Sequence, residues 1–180
     1  LDPLTDYNKS KMICEKIIES YKDTIKAVMI RPATVCGFSQ RLRLDVVLNL
    51  FSYQAYFNKK ITINGGKQTR PLLHINDMVN SYYFFLKNNL TGCYNLGFEN
   101  KSLLQIAKTV QKIIPCKIIK RKTNDIRSYR MDSSKILKNG FVNKYNSEDA
   151  VYDLKRAFDN NFKPSNLNWN LKWLQSKKIV

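Results

Sequence analysis

Apolar residues recur at helical spacing in several stretches of this chain. Between residues 7 and 21 they are Met12, Ile13, Ile17, Ile18 and Tyr21, and lysine, glutamate and serine fill most of the positions between them. That spacing predicts an amphipathic helix with one buried face. The same criterion predicts further helices over residues 41–57, 78–87, 103–114, 132–138 and 148–158.

Short runs of β-branched and other apolar residues alternate with these helices. The first covers residues 25–35, and its regular part should end near Pro32, because proline has no N–H to donate to a sheet. Shorter strands are predicted at residues 60–63, 70–75, 92–97 and 116–120. The alternation predicts an α/β fold, in which ligands bind beyond the carboxyl ends of parallel strands.

Polar residues at the ends of these elements predict local hydrogen bonding. Asn76-Asp77, Ser102 and Ser147 stand where helix N-caps are expected. His74 lies in an apolar strand, so we interpret it as a structural histidine with satisfied hydrogen bonds.

Two arginines are candidate anion ligands. Arg41 and Arg43 stand near the predicted start of the helix over residues 41–57, where the positive helix N-terminus would add to their charge. The alternative is that both are exposed surface residues.

Composition limits the class of protein. The 180 residues are 43% hydrophobic and 25% charged, which is ordinary for one globular domain, and no apolar run is long enough to cross a membrane. The four cysteines are scattered without a C-x-x-C pair, and there is one histidine, so we expect no metal site. Buried free cysteines suit a reducing compartment, and we expect a cytoplasmic protein.

The formal net charge of +17 is the most unusual property of the composition. A polyanionic partner is one explanation. The basic residues are spread along the chain, with only short clusters such as residues 117–122, and the aromatic residues follow core periodicity. We therefore do not expect nucleic acid as a partner, although a basic nucleic-acid-binding module stays open as an alternative function.

Tyr7 and Lys11 stand four residues apart at the head of the first predicted helix. Residues at this spacing share a helix face, so the phenol and the ammonium can point into one site. A cation beside the phenol favours the phenolate, which lets a tyrosine act as a general base. The same spacing also occurs by chance on solvated helices, so it leaves both interpretations open.

The order of motifs along the chain resembles a known family. Tyr-x-x-x-Lys is followed by Arg-Pro-x-Thr-Val-x-Gly, Arg-Pro-Leu-Leu-His-Ile-Asn-Asp, Tyr-Asn-Leu-Gly and Asp-x-Arg-Ser-Tyr-Arg-x-Asp. This order resembles the C-terminal half of the extended short-chain dehydrogenase/reductase family, the NAD-dependent epimerase/dehydratases that act on nucleotide sugars. The resemblance covers about residues 1–160.

The resemblance implies a fold, a cofactor and partners. The fold would be an incomplete NAD-binding Rossmann-type fold, containing the C-terminal part of the parallel sheet, with a smaller α/β substrate-binding region. Within a single partial domain, residues 1–37 would hold the catalytic helix and the end of the sheet, and residues 38–180 mainly the nucleotide-sugar-binding region. The cofactor would be NAD. The partners would be a nucleotide-sugar substrate, the N-terminal half of the same protein and, in the full-length enzyme, a second copy in a homodimer.

The same resemblance assigns roles near the nicotinamide. Tyr7 would be the catalytic base that takes a proton from a sugar hydroxyl, and Lys11 its partner, which also holds the nicotinamide ribose. Pro32, Ala33 and Thr34 match the segment that passes near the nicotinamide, although many relatives have asparagine at the position of Thr34.

The resemblance also assigns substrate-binding residues. Arg70 and Arg127 match arginines that hold the nucleotide diphosphate, a role that suits the guanidinium fork. Arg41, Arg43 and Asn49 lie where this family borders the sugar-nucleotide pocket.

The glycine-rich turn that binds NAD pyrophosphate in this family does not occur in the sequence. There are six glycines, and none has the spacing Gly-x-x-Gly-x-x-Gly. We therefore expect a fragment of a longer enzyme, which alone neither binds NAD tightly nor turns over, with apolar surface exposed on its first helix and on the strand over residues 27–35. A non-catalytic remnant that binds a nucleotide sugar is the alternative.

Overall fold

The computed structural model describes residues 6–123 and 127–177, which contain helices, strands and one 3-10 turn. The helices are α1 (Asp6–Ser20), α2 (Val47–Asn58), α3 (Ile75–Lys87), α4 (Leu103–Ile113), α5 (Ser134–Lys138), α6 (Ser147–Asp159) and α7 (Asn170–Ser176). The strands are β1 (Val28–Pro32), β2 (Thr34–Cys36), β3 (Lys60–Asn64), β4 (Thr69–His74), β5 (Gly92–Leu96), β6 (Glu99–Ser102) and β7 (Lys117–Arg121). The predicted α/β class is confirmed. None of the helices in the described part of the chain has the length and apolar character needed to cross a bilayer.

The strands form three small sheets. β1 pairs in parallel with β5, from Val28 opposite Gly92 to Pro32 opposite Leu96. β4 lies between β2, which is parallel to it, and β6, which is antiparallel. β3 pairs in parallel with β7. Apart from β6, which the sequence pattern did not predict, all the pairings are parallel.

The strand predicted over residues 25–35 is divided between two sheets at Ala33. Pro32 ends β1 because it has no N–H to continue the ladder. The Ala33 N–H donates to Leu96 O at 2.7 Å, and the chain then enters β2, where Thr34 lies opposite Leu72. Residues 32–34 therefore form the crossing from one sheet to the next.

Two apolar clusters form the core. The first packs α2, α4 and α6 against β3 and includes Leu48 and Ile61, both 0% exposed. The second joins α3 and α5 to β1 and β5 around Phe85, Leu96 and Ile136. The elements of the two clusters alternate along the chain. β1 belongs to the second cluster, α2 and β3 belong to the first, and α3 and β5 belong to the second again.

Helix α1 contains no buried residue, so the prediction of a buried face was wrong for the described structure. Ile13, Ile17 and Tyr21 are 53%, 55% and 56% exposed. This confirms the expected apolar surface on the first helix. Glu15, on the side of the helix that faces β1, pairs with Arg31 of that strand.

The predicted start of the second helix at Arg41 was wrong, because α2 begins at Val47. Leu42 and Leu44 are both 0% exposed, whereas Arg41 and Arg43 are exposed. This alternation has the period of an extended segment rather than that of a helix. The two arginines therefore precede the helix and do not lie at its N-terminus.

The helix caps differ in part from the prediction. Ser102 caps α4 in a reciprocal capping box with Gln105, as expected. For α6 the cap is Asn146, one residue before Ser147. The predicted cap Asn76-Asp77 was wrong, because α3 begins earlier and the His74 side chain accepts the Asn76 N–H.

The carboxylate of Asp77 serves a different element from the one predicted. Asp77 is 0% exposed and accepts the backbone N–H groups of Lys144 and Tyr145, at distances between 3.0 and 3.2 Å. It therefore ties the start of α3 to the segment that leads into α6.

The C-terminal tail packs against the extended segment that carries Arg41 and Arg43. The Asn168 side chain donates to Leu42 O at 2.8 Å, and the Leu44 N–H donates to Asn168 O at 2.7 Å. The Asn170 N–H donates to the Asp45 carboxylate at 3.2 Å. The tail, to which the sequence pattern assigned no role, therefore holds this segment in place.

Candidate functional site

Tyr7 and Lys11 share one face of α1, as their spacing predicts. The Lys11 Nζ lies 5.6 Å from the centroid of the Tyr7 ring. Tyr7 is 69% exposed, and Lys11 is exposed as well. Asp6 pairs with Lys9, whereas no carboxylate in the described part of the chain pairs with Lys11. The phenol and the ammonium are thus both accessible to a ligand.

Glu15 lies one turn after Lys11 and connects α1 to β1. The Arg31 Nε donates to both Glu15 oxygens, at 2.9 and 3.0 Å, and Arg31 Nη2 donates to Glu15 Oε2. The hydrogen bonds to Glu15 raise the pKa of Arg31. This pair was not predicted, because nothing in the local sequence pattern links a helix residue to an arginine of the next strand.

Pro32, Ala33 and Thr34 lie at the carboxyl ends of the first strand pair. β1 and β5 are parallel and in register, so they end at the same edge, at Pro32 and Leu96. Gly97 follows directly, and a Cβ on Gly97 would lie only 2.8 Å from the Cβ of Ala33. The crossing between the sheets therefore requires glycine at this point. It occupies the edge where α/β folds bind ligands.

Arg70 and Arg127 meet at the start of β4. Arg70 Nη1 donates to the backbone oxygen of Arg127 at 2.5 Å and to that of Thr69 at 3.0 Å. The Arg70 guanidinium carbon lies 5.2 Å from the centroid of the Tyr129 ring. Asp125, which belongs to the same sequence motif as Arg127, lies outside the described residues. The structure thus brings together two arginines that are far apart in the sequence.

Arg41 and Arg43 have separate local partners. The Arg41 guanidinium lies over the ring of Trp173, 5.4 Å from its centroid. The Arg43 Nε donates to the Asp45 carboxylate at 2.9 Å. Both side chains remain exposed. The contact with Trp173 could not be read from the sequence, since it depends on how the tail folds back.

Asn49 is buried and bonds only to backbone groups in the contacts described for it. Its Oδ1 accepts the Gly37 N–H at 3.1 Å, and its Nδ2 donates to Arg43 O at 2.9 Å. Its side chain therefore fixes the path of the chain between β2 and α2, which carries Arg41 and Arg43.

His74 is buried beside the same loop. Its Nδ1 accepts the Asn76 N–H at 3.1 Å, and its ring stacks on Tyr145 with 4.7 Å between the centroids. Its Nε2 forms no hydrogen bond among the described residues, although Asp153 Oδ2 lies 3.4 Å away. The prediction that the hydrogen bonds of His74 are satisfied is therefore confirmed for Nδ1 but not for Nε2.

The cysteines and acidic residues form no metal cluster in the part of the chain that the structure describes. Cys14, Cys36, Cys93 and Cys116 are all free thiols. No group of three or more His, Cys, Asp or Glu side chains there is arranged to hold a metal ion.

A sequence model of the NAD dependent epimerase/dehydratase family matches residues 1–97 of this chain. The chain belongs to that family. The dTDP-D-glucose 4,6-dehydratase of Dictyostelium discoideum is 30% identical over 116 residues, which are 63% of this chain and 27% of that protein. The UDP-glucuronic acid decarboxylase 1 of Xenopus tropicalis is 25% identical over 119 residues, 63% of this chain and 28% of that protein.

Solved structures share the fold. The UDP-N-acetylglucosamine 4-epimerase of Bacillus cereus is 25% identical and superposes with a TM-score of 0.75, covering 93% of this chain and 58% of that one. The RMD protein of Pseudomonas aeruginosa, solved with NADPH, gives a TM-score of 0.78 at 14% identity, over 89% of this chain and 58% of that one. The second likeness shows the fold alone.

These relatives confirm the resemblance of the chain to the extended short-chain dehydrogenase/reductases and its Rossmann-type α/β class. The family is NAD-dependent, which confirms the expected cofactor. The chain spans between 27% and 58% of the length of the four relatives named above.

Proposed function

We propose that this chain supplies the Tyr–Lys pair and the sugar-nucleotide region of an NAD-dependent epimerase or dehydratase that acts on a nucleoside-diphosphate sugar. The observation that carries the proposal is the pairing of Tyr7 and Lys11 on one exposed face of α1, 5.6 Å from ammonium to ring centroid, in a chain of this family. Tyr7 is the general base, and it takes a proton from a sugar hydroxyl. Lys11 favours the phenolate and holds the nicotinamide ribose.

The residues present fit the nicotinamide end of the cofactor. Lys11 has no carboxylate partner among the described residues, so its ammonium can bond to ribose hydroxyls. Pro32, Ala33 and Thr34 lie at a sheet edge where such a ring is bound in α/β folds. NAD, when bound, supplies the hydride acceptor for the carbon whose hydroxyl Tyr7 deprotonates.

The diphosphate of the substrate is proposed to bind at Arg70 and Arg127. Arginine suits the doubly charged diphosphate, since a guanidinium can bond to two oxygens at once, and the Arg70 side chain lies against the backbone of Arg127. The Tyr129 ring against Arg70 restricts that guanidinium and so lowers the entropy lost on binding. Arg41 and Arg43 would border the sugar-nucleotide pocket, and Asn49 would act through them by fixing the loop.

The adenosine and pyrophosphate of NAD are proposed to bind to a preceding half of the protein. Two features of this chain suit such a half. In the described structure β1 pairs on one side only, with β5, and α1 buries none of its residues. The free edge of β1 would accept a further parallel strand, and the exposed Ile13 and Ile17 are apolar surface that a preceding half would cover. The 180 residues alone would then be inactive and would not bind NAD at micromolar concentration.

A chimaera tests the catalytic role. The NAD-binding half of the Bacillus cereus epimerase would be placed before this chain, because that structure superposes on 93% of it. In an active chimaera, Tyr7→Phe should lower kcat at least about 100-fold, the usual contribution of a general base. Binding of the nucleotide sugar, measured by calorimetry, should be unchanged.

The matched control is Tyr21→Phe, a second exposed tyrosine beyond the same helix. It should leave kcat unchanged. If Tyr7→Phe also leaves kcat unchanged, Tyr7 is not the base. That result would favour the alternative of a non-catalytic remnant that binds a nucleotide sugar. Titration of the 180-residue chain with NAD tests the division of the site, and micromolar affinity would contradict it.

A further inference from the structure

Two strands that are distant in sequence bring several exposed cations close together. The cations are Lys59, Lys60, Lys117, Lys120, Arg121 and Lys122, and all six are exposed. The sequences of β3 and β7, Lys-Ile-Thr-Ile-Asn and Lys-Ile-Ile-Lys-Arg, contain no acidic residue. We call the outward side of this two-stranded sheet, defined by Lys60, Lys117 and Arg121, the basic face.

The pairing register places two cations of the basic face directly beside each other. Lys60 lies opposite Lys117, and Asn64 lies opposite Arg121. Ile61 is 0% exposed, so the alternation along the strand directs Lys60 outward. Like charges directly opposite each other destabilise a sheet. Since no carboxylate in the described part of the chain pairs with Lys60, Lys117 or Arg121, a bound anion would relieve this repulsion.

We propose that the basic face binds the phosphodiester backbone of a single-stranded nucleic acid. Lys117 and Arg121 point to the same side, about 13 Å apart along the strand. This line of charge matches a polymer that carries one negative charge at each residue. Ile119, 42% exposed, is the only apolar residue on the outward side, so the surface has little to insert into a bilayer.

Aromatic side chains at the end of α2 lie close in sequence to Lys59 and Lys60, where β3 begins. Phe57 is 42% exposed, and the Lys59 Nζ lies 5.3 Å from the centroid of the neighbouring Tyr56 ring. Bases of single-stranded nucleic acids stack on such rings beside a basic surface. Asp159 accepts a hydrogen bond from Tyr56 and is paired with Lys155 at 2.6 Å. Because its charge is paired, it adds little repulsion toward a phosphate bound nearby.

This proposal is independent of the enzymatic one and revises the expectation that nucleic acid is not a partner. That expectation rested on basic residues scattered along the sequence. Parallel pairing of β3 with β7 places Lys60 of one strand beside Lys117 of the other, a proximity that the sequence alone does not show.

Fluorescence anisotropy with a labelled oligothymidylate tests the proposal on the 180-residue chain. The triple variant Lys60→Gln, Lys117→Gln, Arg121→Gln should weaken binding about tenfold at about 50 mM salt. It should also reduce the slope of log K against log salt by about 2, because each lost phosphate contact on a single strand removes about 0.7. The matched control removes three exposed lysines elsewhere, by Lys16→Gln, Lys87→Gln and Lys163→Gln, and should change both quantities much less.

Several results would overturn the site. Equal losses in the two triple variants would mean that diffuse charge explains the binding. No binding by the unaltered chain at low salt would remove the proposal, and tighter binding to phosphatidylserine vesicles than to the oligonucleotide would favour a membrane surface. The charge-preserving Lys117→Arg should keep the affinity, and a tenfold loss in that variant would contradict an electrostatic contact. Melting curves should show the triple variant folded, with an equal or higher midpoint, because it removes like-charge repulsion.

Discussion

Glu15 and Arg31 form a bidentate ion pair that joins the helix carrying Tyr7 and Lys11 to the strand leading to Pro32. Both side chains are partly buried, with 23% and 33% of their surfaces exposed. Since α1 has no buried apolar residue in the described structure, this pair is a principal contact that fixes where the helix lies. The proposed catalytic pair therefore depends on an ion pair one turn further along the helix.

Removing the charge of Glu15 should loosen α1. Glu15→Gln keeps the shape of the side chain but leaves the Arg31 guanidinium without its counter-ion, at a cost of about 1 kcal/mol for a partly exposed pair. Hydrogen exchange should quicken within Asp6–Ser20 and remain unchanged in α4. The control is Glu19→Gln, an exposed carboxylate on the same helix. Equal exchange in both variants would show that the ion pair does not hold the helix.

Cys36 should resist thiol reagents while the protein is folded. It is 2% exposed, and burial raises the pKa of its thiol from 9.0 to about 12. At pH 8 the exposed Cys14 should react with Ellman's reagent, whereas Cys36 should react only after unfolding. Rapid labelling of Cys36 in a Cys14→Ser variant under native conditions would contradict this assignment.

The same pKa predicts how stability changes with pH. Above pH 9.0 the thiol ionises in the unfolded chain but stays protonated in the folded one until about pH 12. The unfolded state thus loses a proton that the folded state keeps, and stability falls as pH rises through this window. Urea unfolding at pH 8 and pH 10 measures the fall. In Cys36→Ala the part of the fall that is due to this thiol should disappear.

Gly97 should not tolerate a side chain. A Cβ at this position would lie 2.8 Å from the Ala33 Cβ and 3.0 Å from the Met131 sulfur. Gly97→Ala should therefore destabilise the fold by about 1–3 kcal/mol through overpacking. Adding Ala33→Gly removes the closest contact, so the double variant should recover part of the loss in thermal unfolding. Strictly additive effects of the two substitutions would show that the contact is not the cause.

Asp77 should be essential for attaching the segment before α6. Asp77→Ala leaves the buried N–H groups of Lys144 and Tyr145 without an acceptor, at a cost of about 2–3 kcal/mol. Asp77→Asn keeps one acceptor oxygen, so it should lower the free energy of unfolding less than Asp77→Ala does. The control Asp132→Ala removes an exposed carboxylate that accepts the Ser134 N–H at 2.9 Å, and its urea midpoint should fall by less than half as much. Equal falls would mean that burial of Asp77 does not matter.

Most local elements could be predicted from the sequence, because the interactions that define them lie within a few residues. The capping box of Ser102 and Gln105 is one example, and the shared face of Tyr7 and Lys11 is another. The segment before α2 was misread for a related reason. Leu42 and Leu44 belong to the first core cluster, and Asn168 of the C-terminal tail bonds to the backbone of both residues. No pattern inside the segment itself shows these contacts.

The sequence by itself determined the α/β class, the order of motifs that identifies the family, and the pairing of Tyr7 with Lys11 on one helix face. Only the tertiary structure decided that the chain changes sheets at Ala33, that Arg70 meets Arg127, that Glu15 holds α1 to β1, and that Lys60 lies beside Lys117. The physical reason is range. Helix periodicity and capping depend on near neighbours, whereas strand pairing joins residues far apart in sequence through the packing of the whole core.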